Sequence, residues 1–253
     1  MRIYAIGDIH GQYEMLLEAH DRIEADRVRT GDRDALVVHL GDLTDRGPDS
    51  NAVIAHLIEG IEAGEPWAVI RGNHDKMFTD FLRSASYADQ RLRIGLDWLN
   101  THLGGATTLA SYGVDQGLFR RKSRIQADAA EAVPEKHIAF LESLPLYYET
   151  PDLVFVHAGI RPGLPLRDQI EEDLIWIRDE FLYDTRDHGK LIVHGHTPVE
   201  RPMHCGNRVN LDTGAGFGRA LTAAVFEDRR VWILGAGGRT PLEPINGDGK
   251  LAL

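Results

Sequence analysis

The side chains best suited to chemistry fall in five short blocks, each combining a glycine with Asp, His or Asn. They are Gly7-Asp8-Ile9-His10-Gly11, Gly41-Asp42-Leu43-Thr44-Asp45-Arg46-Gly47, Arg71-Gly72-Asn73-His74-Asp75, His157-Ala158-Gly159 and His194-Gly195-His196-Thr197. Carboxylate, imidazole and amide oxygen without thiolate suit a catalytic site for Mn²⁺, Fe or Zn²⁺; a structural zinc would want cysteines. Asp8 and His10 stand two apart, so in an extended turn both side chains point the same way. A carboxylate such as Asp42 has two oxygens and can bridge two ions roughly 3.5–4 Å apart. Such a pair acidifies a shared water and clamps the attacking and leaving oxygens of an in-line displacement.

Taken singly, each residue has a plainer explanation. An Asp beside Gly after a strand is usually a turn residue, a lone His such as His157 a hydrogen-bonded core group, and Asn73 a turn. The repetition of one design weighs against that. Every block follows a short apolar run that reads as a strand: Arg2–Ile6, Leu36–Leu40, Trp67–Ile70, Leu153–Val156 and Leu191–Val193. In open α/β sheets ligands bind outside the carboxyl ends of strands, so five such ends can converge on one crevice. His20, His39, His56, His102, His137, His188 and His204 lack this setting and read as ordinary core or surface residues.

The elements that must position these blocks alternate short β-rich runs with helical stretches, which predicts a layered α/β fold. Helices are expected over Tyr13–Ala25 and Ser50–Ala63, the second introduced by Gly47-Pro48-Asp49. Later strands are expected at Arg208–Leu211, Ala220–Phe226 and Arg230–Leu234, the last two forming a hairpin around Glu227–Arg229. From about Lys76 to Glu142 the pattern is mostly helical, with a glycine break at Gly104-Gly105; it predicts a cap-like insertion beside the site within a single domain spanning residues 1–253. Gly235-Ala236-Gly237-Gly238 reads as a turn and Gly247–Leu253 as a frayed terminus.

Composition narrows the partners. A formal net charge of −11 repels nucleic-acid backbones and argues against a nucleic-acid partner; a phosphate-bearing substrate must be attracted by local metals and a few arginines. No run approaches the roughly 18 apolar residues of a membrane span. The first residues lead straight into a block rather than a cleaved signal, and the single cysteine, Cys205, fits a reducing cytoplasm. Cys205 lies in none of the blocks, which excludes a cysteine-nucleophile mechanism built on them.

The blocks GDIHG, GDLTDRG, RGNHD, HAG and HGHT, in that order over residues 7–197, resemble the signature of calcineurin-like metallophosphoesterases, and of the phosphoprotein phosphatase family in particular. The resemblance implies an α-β-β-α fold: a β-sandwich flanked by helices, with a dimetal site at the C-terminal ends of strands. It implies that Asp8, His10 and Asp42 hold one divalent ion, and that Asp42 bridges to a second completed by Asn73, His157 and His196. Mn²⁺ is the expected metal, with Fe or Zn²⁺ also fitting. His196 is preferred to His194 because it directly follows the glycine and precedes Thr197. His74 matches the general acid, Asp45 its carboxylate partner, and Arg46 and Arg71 the phosphate clamp. Arg178 in Trp176-Ile177-Arg178 resembles a further phosphate-binding arginine of bacterial and phage members. Pro198 stands where many broader metallophosphoesterases have another metal-binding histidine.

The implied reaction is phosphomonoester hydrolysis by direct in-line attack of a metal-bound hydroxide, on phosphoserine or phosphothreonine proteins or small phosphoesters. The chain lacks the tyrosine-containing loop of eukaryotic members and carries Asn210-Leu211-Asp212-Thr213-Gly214-Ala215 there, a bacterial and phage form. Trp98–Gly113 (WLNTHLGGATTLASYG) also resembles bacterial serine/threonine protein phosphatases. The rival expectation is symmetrical dinucleoside-polyphosphate hydrolysis by relatives that commonly carry alanine at the position of Asp45; Asp45 and Thr197 favour the protein phosphatase. A non-catalytic phosphate-binding module would have lost a ligand or the acid, whereas all the matching residues are present.

Overall fold

The computed structural model describes residues 1–87, 89–92, 96–117 and 119–245, so the expected frayed terminus Gly247–Leu253 lies outside the described residues. Among them the strands are β1 Arg2–Ile6, β2 Leu36–His39, β3 Trp67–Val69, β4 Tyr147–Glu149, β5 Leu153–Val156, β6 Leu191–His194, β7 Met203–His204, β8 Arg208–Asn210, β9 Ala223–Glu227, β10 Arg230–Gly235 and β11 Gly238–Pro241. The helices are α1 Tyr13–Thr30, α2 Ser50–Glu62, α3 Asn73–Arg83, α4 Gly105–Ser111, α5 Lys122–Ala132, α6 Glu135–Ser143, α7 Glu171–Trp176 and α8 Asp179–Leu182. One sheet has the order β11-β10-β9-β1-β2-β3 and the other β4-β5-β6-β8-β7. β1, β2 and β3 run parallel, as do β5, β6 and β8.

Side-chain alternation explains the layering. In β1, Ile3 and Ala5 face the core between the sheets while Tyr4 and Ile6 face the helices. In β5, Leu153 and Phe155 enter the same inter-sheet core, and Val154 and Val156 pack with Leu174, Ile175 and Phe181 of α7 and α8. Strands covered on both faces read as continuous apolar runs, which is why they stand out in the sequence. The expected α-β-β-α architecture is present. α4 packs on α2, and α5 and α6 pack on α3; Phe78, Trp98, Leu109, Ile125 and Leu141 join the core on the helical side of the first sheet.

Some boundaries differ from the sequence expectation. α1 continues past Ala25 to Thr30 because Arg27 is buried and donates to the Ala35 carbonyl, and Gly31 closes the helix at φ 71°. β9 begins at Ala223 rather than Ala220, since Ala220 is engaged earlier by the Thr213 hydroxyl. β4, β7 and β11 have no sequence signal of their own; each is short and exists through pairing with β5, β8 and β10. The Gly235–Gly238 turn joins β10 to β11. No helix among the described residues is long and apolar enough to cross a membrane.

Beneath Trp67, three histidines form a directed chain. His39 Nδ1–H donates to the Ala68 carbonyl (3.2 Å), so its Nε2 accepts from His20 Nε2–H (2.9 Å), and His20 Nδ1 in turn accepts from His56 Nε2–H (3.1 Å). Each ring is satisfied with one proton only. Burial accordingly lowers His20 to about 2 and His39 to about 4. The folded state thus binds fewer protons than the unfolded chain below the ordinary histidine pKa of about 6.5, and stability falls as pH drops from there towards 4. Urea midpoints at pH 7.5, 6 and 5 should decline more steeply for the wild type than for His20→Phe. Parallel slopes in the two proteins would remove this cluster as the cause.

Candidate active site

The carboxyl ends of the parallel strands of both sheets meet at one edge. Asp8 follows β1, Asp42 follows β2, Asn73 opens α3 after β3, His157 follows β5 and His196 follows β6. Hydrogen bonds tie these turns together. His196 N–H donates to Asp8 Oδ2 (2.9 Å), His10 N–H to the Asp42 carbonyl (2.7 Å), and His157 Nδ1 contacts the Leu40 carbonyl (2.8 Å). Glycine permits two close approaches: a Cβ on Gly195 would lie 1.8 Å from Asp8 Oδ1, and one on Gly72 would lie 2.2 Å from Asp42 Oδ1. Of the six described residues with left-handed φ other than glycine, His10 (48°), Asp42 (49°), Asp45 (75°), Arg46 (67°) and His196 (67°) sit here, and Asp228 (56°) lies in the β9–β10 turn. Such conformations cost about 1–3 kcal/mol each and persist only where the surroundings enforce them.

The donor atoms fit metal binding. His10, Asp42 and His74 bring one ligand atom each within 4.8 Å of one another, as do Asp42, His157 and His196, so Asp42 belongs to both groups. His10 Nδ1–H donates to the Thr44 carbonyl (2.8 Å) and His157 Nδ1–H to that of Leu40, which leaves both Nε2 lone pairs facing inward. His157 Nε2 lies 3.0 Å from Asn73 Oδ1 and 3.3 Å from Asp42 Oδ1, and His196 Nδ1 lies 2.9 Å from Asn73 Oδ1. Acceptors crowded together in this way call for a cation. Asp8 Oδ1 and His196 Nε2 are buried without a partner.

The electrostatics agree. Burial, together with the charges of Asp212 and Asp42, pushes Asp8 well above the ordinary carboxylate value, a penalty that a cation relieves. Burial also works against the Asp42 charge, but His157, His74, His10 and His196 outweigh it and hold the carboxyl low. Burial keeps His10 and His157 below the ordinary histidine value, in the neutral form that ligates metal.

His74 Nδ1 lies 2.6 Å from Asp45 Oδ2, and its Nε2 lies 3.1 Å from Arg46 Nη2. Arg46 also contacts His10 Nε2 and lies 4.7 Å from the centre of the exposed Phe217 ring. Arg178 donates to Thr197 Oγ1 (3.2 Å). Both arginines line a cleft of about 500 Å³ together with Asp42, Asn73, His74 and His196. Arg71 is not among the lining residues; it is held by Thr79 (3.0 Å) and Glu171 (3.5 Å). His194 is buried against Phe181, at 5.1 Å between rings, apart from the donor groups.

Sequence reasoning passed over Asp75 and Asp212. Asp75 accepts from Leu43 N–H and Gly72 N–H, both at 2.9 Å, and so locks the second block to the third. Burial and the Asp42 charge raise it to about 7. Asp212 accepts from Gly214 N–H (2.9 Å), and burial raises it to about 6. Its position after β8, at the same sheet edge as His157 and His196, was the available signal.

Known proteins resemble this chain over most of its length. A family description of calcineurin-like phosphoesterases matches residues 1–228. The bis(5'-nucleosyl)-tetraphosphatase PrpE of Geobacillus thermodenitrificans, designated asymmetrical, is 31% identical over 255 residues, covering 90% of this chain and 91% of its own. Serine/threonine-protein phosphatase 1 of Salmonella typhimurium is 31% identical over 235 residues, covering 88% of this chain and 90% of its own. A crystal structure of a provisionally named diadenosine tetraphosphatase superposes with a TM-score of 0.59 at 19% identity, over 97% of this chain and 95% of the other, which speaks for the fold. With the ligand-rich strand ends gathered at one edge of the sandwich and the match extending over residues 1–228, this chain belongs to the calcineurin-like phosphoesterase family and is a metallophosphoesterase hydrolase.

Proposed function

We propose that the chain hydrolyses dinucleoside polyphosphates asymmetrically, releasing a nucleoside triphosphate and a nucleoside monophosphate from a tetraphosphate. The observation that carries this reading is the cleft beside the metal-competent cluster. At about 500 Å³ it is far larger than a phosphoryl group, and Arg46, Arg91 and Arg178 line it together with an apolar wall of Leu92, Leu96, Leu103, Trp176 and Ile177, while Arg161 on its rim is held by Asp173. Guanidinium forks suit a chain of phosphates, and the apolar wall suits a purine. Asp179 and Glu180 on the same cleft offer acceptors for ribose hydroxyls, while both Asp173 oxygens are taken by the Arg161 guanidinium at 2.6 Å. Relatives named as asymmetrical tetraphosphatases support it. They move the weight away from the protein-phosphatase expectation drawn from Asp45.

Within this reading Asp8, His10, Asp42, Asn73, His157 and His196 hold two divalent cations, with Mn²⁺ expected from the oxygen and imidazole donors. Bound there, the pair neutralises phosphoryl charge and lowers the pKa of a water. Arg46 and Arg178 grip the phosphoryl oxygens, a better acceptor for Arg46 than the His74 ring it contacts in the free protein. His74, steadied by Asp45, delivers a proton from Nε2 to the leaving oxygen.

The second reading, a serine/threonine protein phosphatase, is favoured by the Salmonella relative. Metal-restored protein should be assayed on diadenosine tetraphosphate and on a phosphothreonine peptide, with products separated by chromatography. The expected result is ATP plus AMP, with kcat/KM favouring the dinucleotide by about tenfold or more, about 1.4 kcal/mol of differential transition-state binding. Two molecules of ADP would contradict the asymmetrical mode. A peptide preference would establish the second reading.

A further inference from the structure

We infer that Trp98 and Thr108 are positioning residues for proton donation: Trp98, in the turn before α4, and Thr108, on α4, hold the Asp45 carboxylate so that His74 keeps one tautomer and one orientation. This rests on the reading of His74 as proton donor and deepens it. Trp98 Nε1–H donates to Asp45 Oδ2 at 2.7 Å, the oxygen that meets His74 Nδ1 at 2.6 Å. Thr108 accepts Asp45 N–H at 2.8 Å, so its hydroxyl hydrogen is free to donate to Asp45 Oδ1 at 2.7 Å. Ser50 Oγ, 3.1 Å from Thr108 Oγ1, completes the shell around Asp45, which is fully buried.

The donor inventory decides where the hydrogens are. The indole N–H can only donate, and the Thr108 hydroxyl, whose oxygen already accepts Asp45 N–H, directs its hydrogen at Asp45 Oδ1, so Asp45 is an acceptor at both oxygens. The hydrogen between Asp45 and His74 therefore belongs to His74 Nδ1, and Nε2 is the atom left to carry the exchangeable proton. The surrounding sequence is shaped for this contact. A Cβ on Gly105 would lie 2.4 Å from the Trp98 ring, and one on Gly104 would lie 2.3 Å from Arg46 N. The glycine pair thus lets α4 close over both residues, and Thr108 follows on its first turn. Trp98 is braced by Phe78 and Phe81, at ring distances of 5.6 and 4.8 Å. Asp45 and Arg46 stand consecutively at left-handed φ, a conformation that needs such bracing.

The test compares Trp98→Phe, Thr108→Val, Thr108→Ser and His74→Asn with the wild type, using phenyl phosphate and p-nitrophenyl phosphate. Phenolate is the more basic leaving group and depends more on a donated proton. Imidazole ¹⁵N NMR of the metal-free proteins gives a readout apart from catalysis. We expect Trp98→Phe and Thr108→Val to lower the ratio of kcat on phenyl phosphate to kcat on p-nitrophenyl phosphate by about tenfold, part of the 10²–10⁴-fold worth of general acid catalysis. The His74 Nδ1–H resonance, identified by its loss in His74→Asn, should shift or broaden in both variants, and Thr108→Ser should restore ratio and resonance. If His74→Asn depresses both esters equally, the proton-donor reading falls and this inference with it. If His74→Asn is sensitive to the leaving group while Trp98→Phe and Thr108→Val change neither ratio nor resonance, the positioning role alone is overturned.

Discussion

Asp42→Asn should lower kcat/KM by about 10³-fold or more, because bound cations supply several kcal/mol of transition-state charge stabilisation and each 1.36 kcal/mol is a factor of ten. Among the described residues Asp42 is the carboxylate shared by both ligand groups, and four imidazoles surround it. An amide at this position can still accept from His74 N–H, now 3.0 Å from Asp42 Oδ1, and can donate towards the His10 Nε2 lone pair. The folded state should therefore survive, with an unchanged circular dichroism spectrum and a similar metal-free Tm. Elemental analysis after dialysis should find the metal content per chain reduced. Activity within tenfold of wild type at full metal content would show that Asp42 does not bridge.

The second large effect is expected at His74. His74→Asn should reduce kcat by about 10²–10⁴-fold on substrates with a basic leaving oxygen while metal content stays unchanged. The separation follows from the geometry. His74 Nδ1 is committed to Asp45 and Nε2 faces Arg46 and the cleft, so the ring already has partners at both nitrogens. It nevertheless lies within reach of a metal, since its donor atom falls in one group with those of His10 and Asp42. Metal analysis decides between the two roles: loss of one ion in His74→Asn would make it a ligand. Retained metal with a strongly reduced rate would make it the acid.

Much of this was legible in the residues themselves. The strands bearing Asp8, Asp42, Asn73, His157 and His196 are short apolar runs ended by glycine-containing turns, and both signals are local: burial on two faces and a backbone reversal. Their boundaries matched to within about a residue because nothing distant was needed to define them. The donor set also follows from side-chain type alone, since carboxylate, imidazole and amide oxygen select their metals by chemistry rather than by fold.

Other features depended on contacts between segments far apart in sequence. Trp98 and Thr108 meet Asp45 across separations of 53 and 63 residues, and no periodicity announces such a bond. Asp75 reads as the last letter of a block, yet it holds Leu43 and Gly72 together. Arg71 and Arg46 look equivalent as clamp residues in the blocks, but Glu171, 100 residues further on, engages Arg71, while Arg46 reaches the cleft. β4, β7 and β11 were invisible because pairing with a neighbour, not propensity, makes them strands. The sequence by itself determined which atoms could hold metal and donate a proton, since those properties belong to individual side chains. The tertiary structure decided which of them face one another, how the acid is held and what the cleft can admit, since long-range packing sets distance, tautomer and shape.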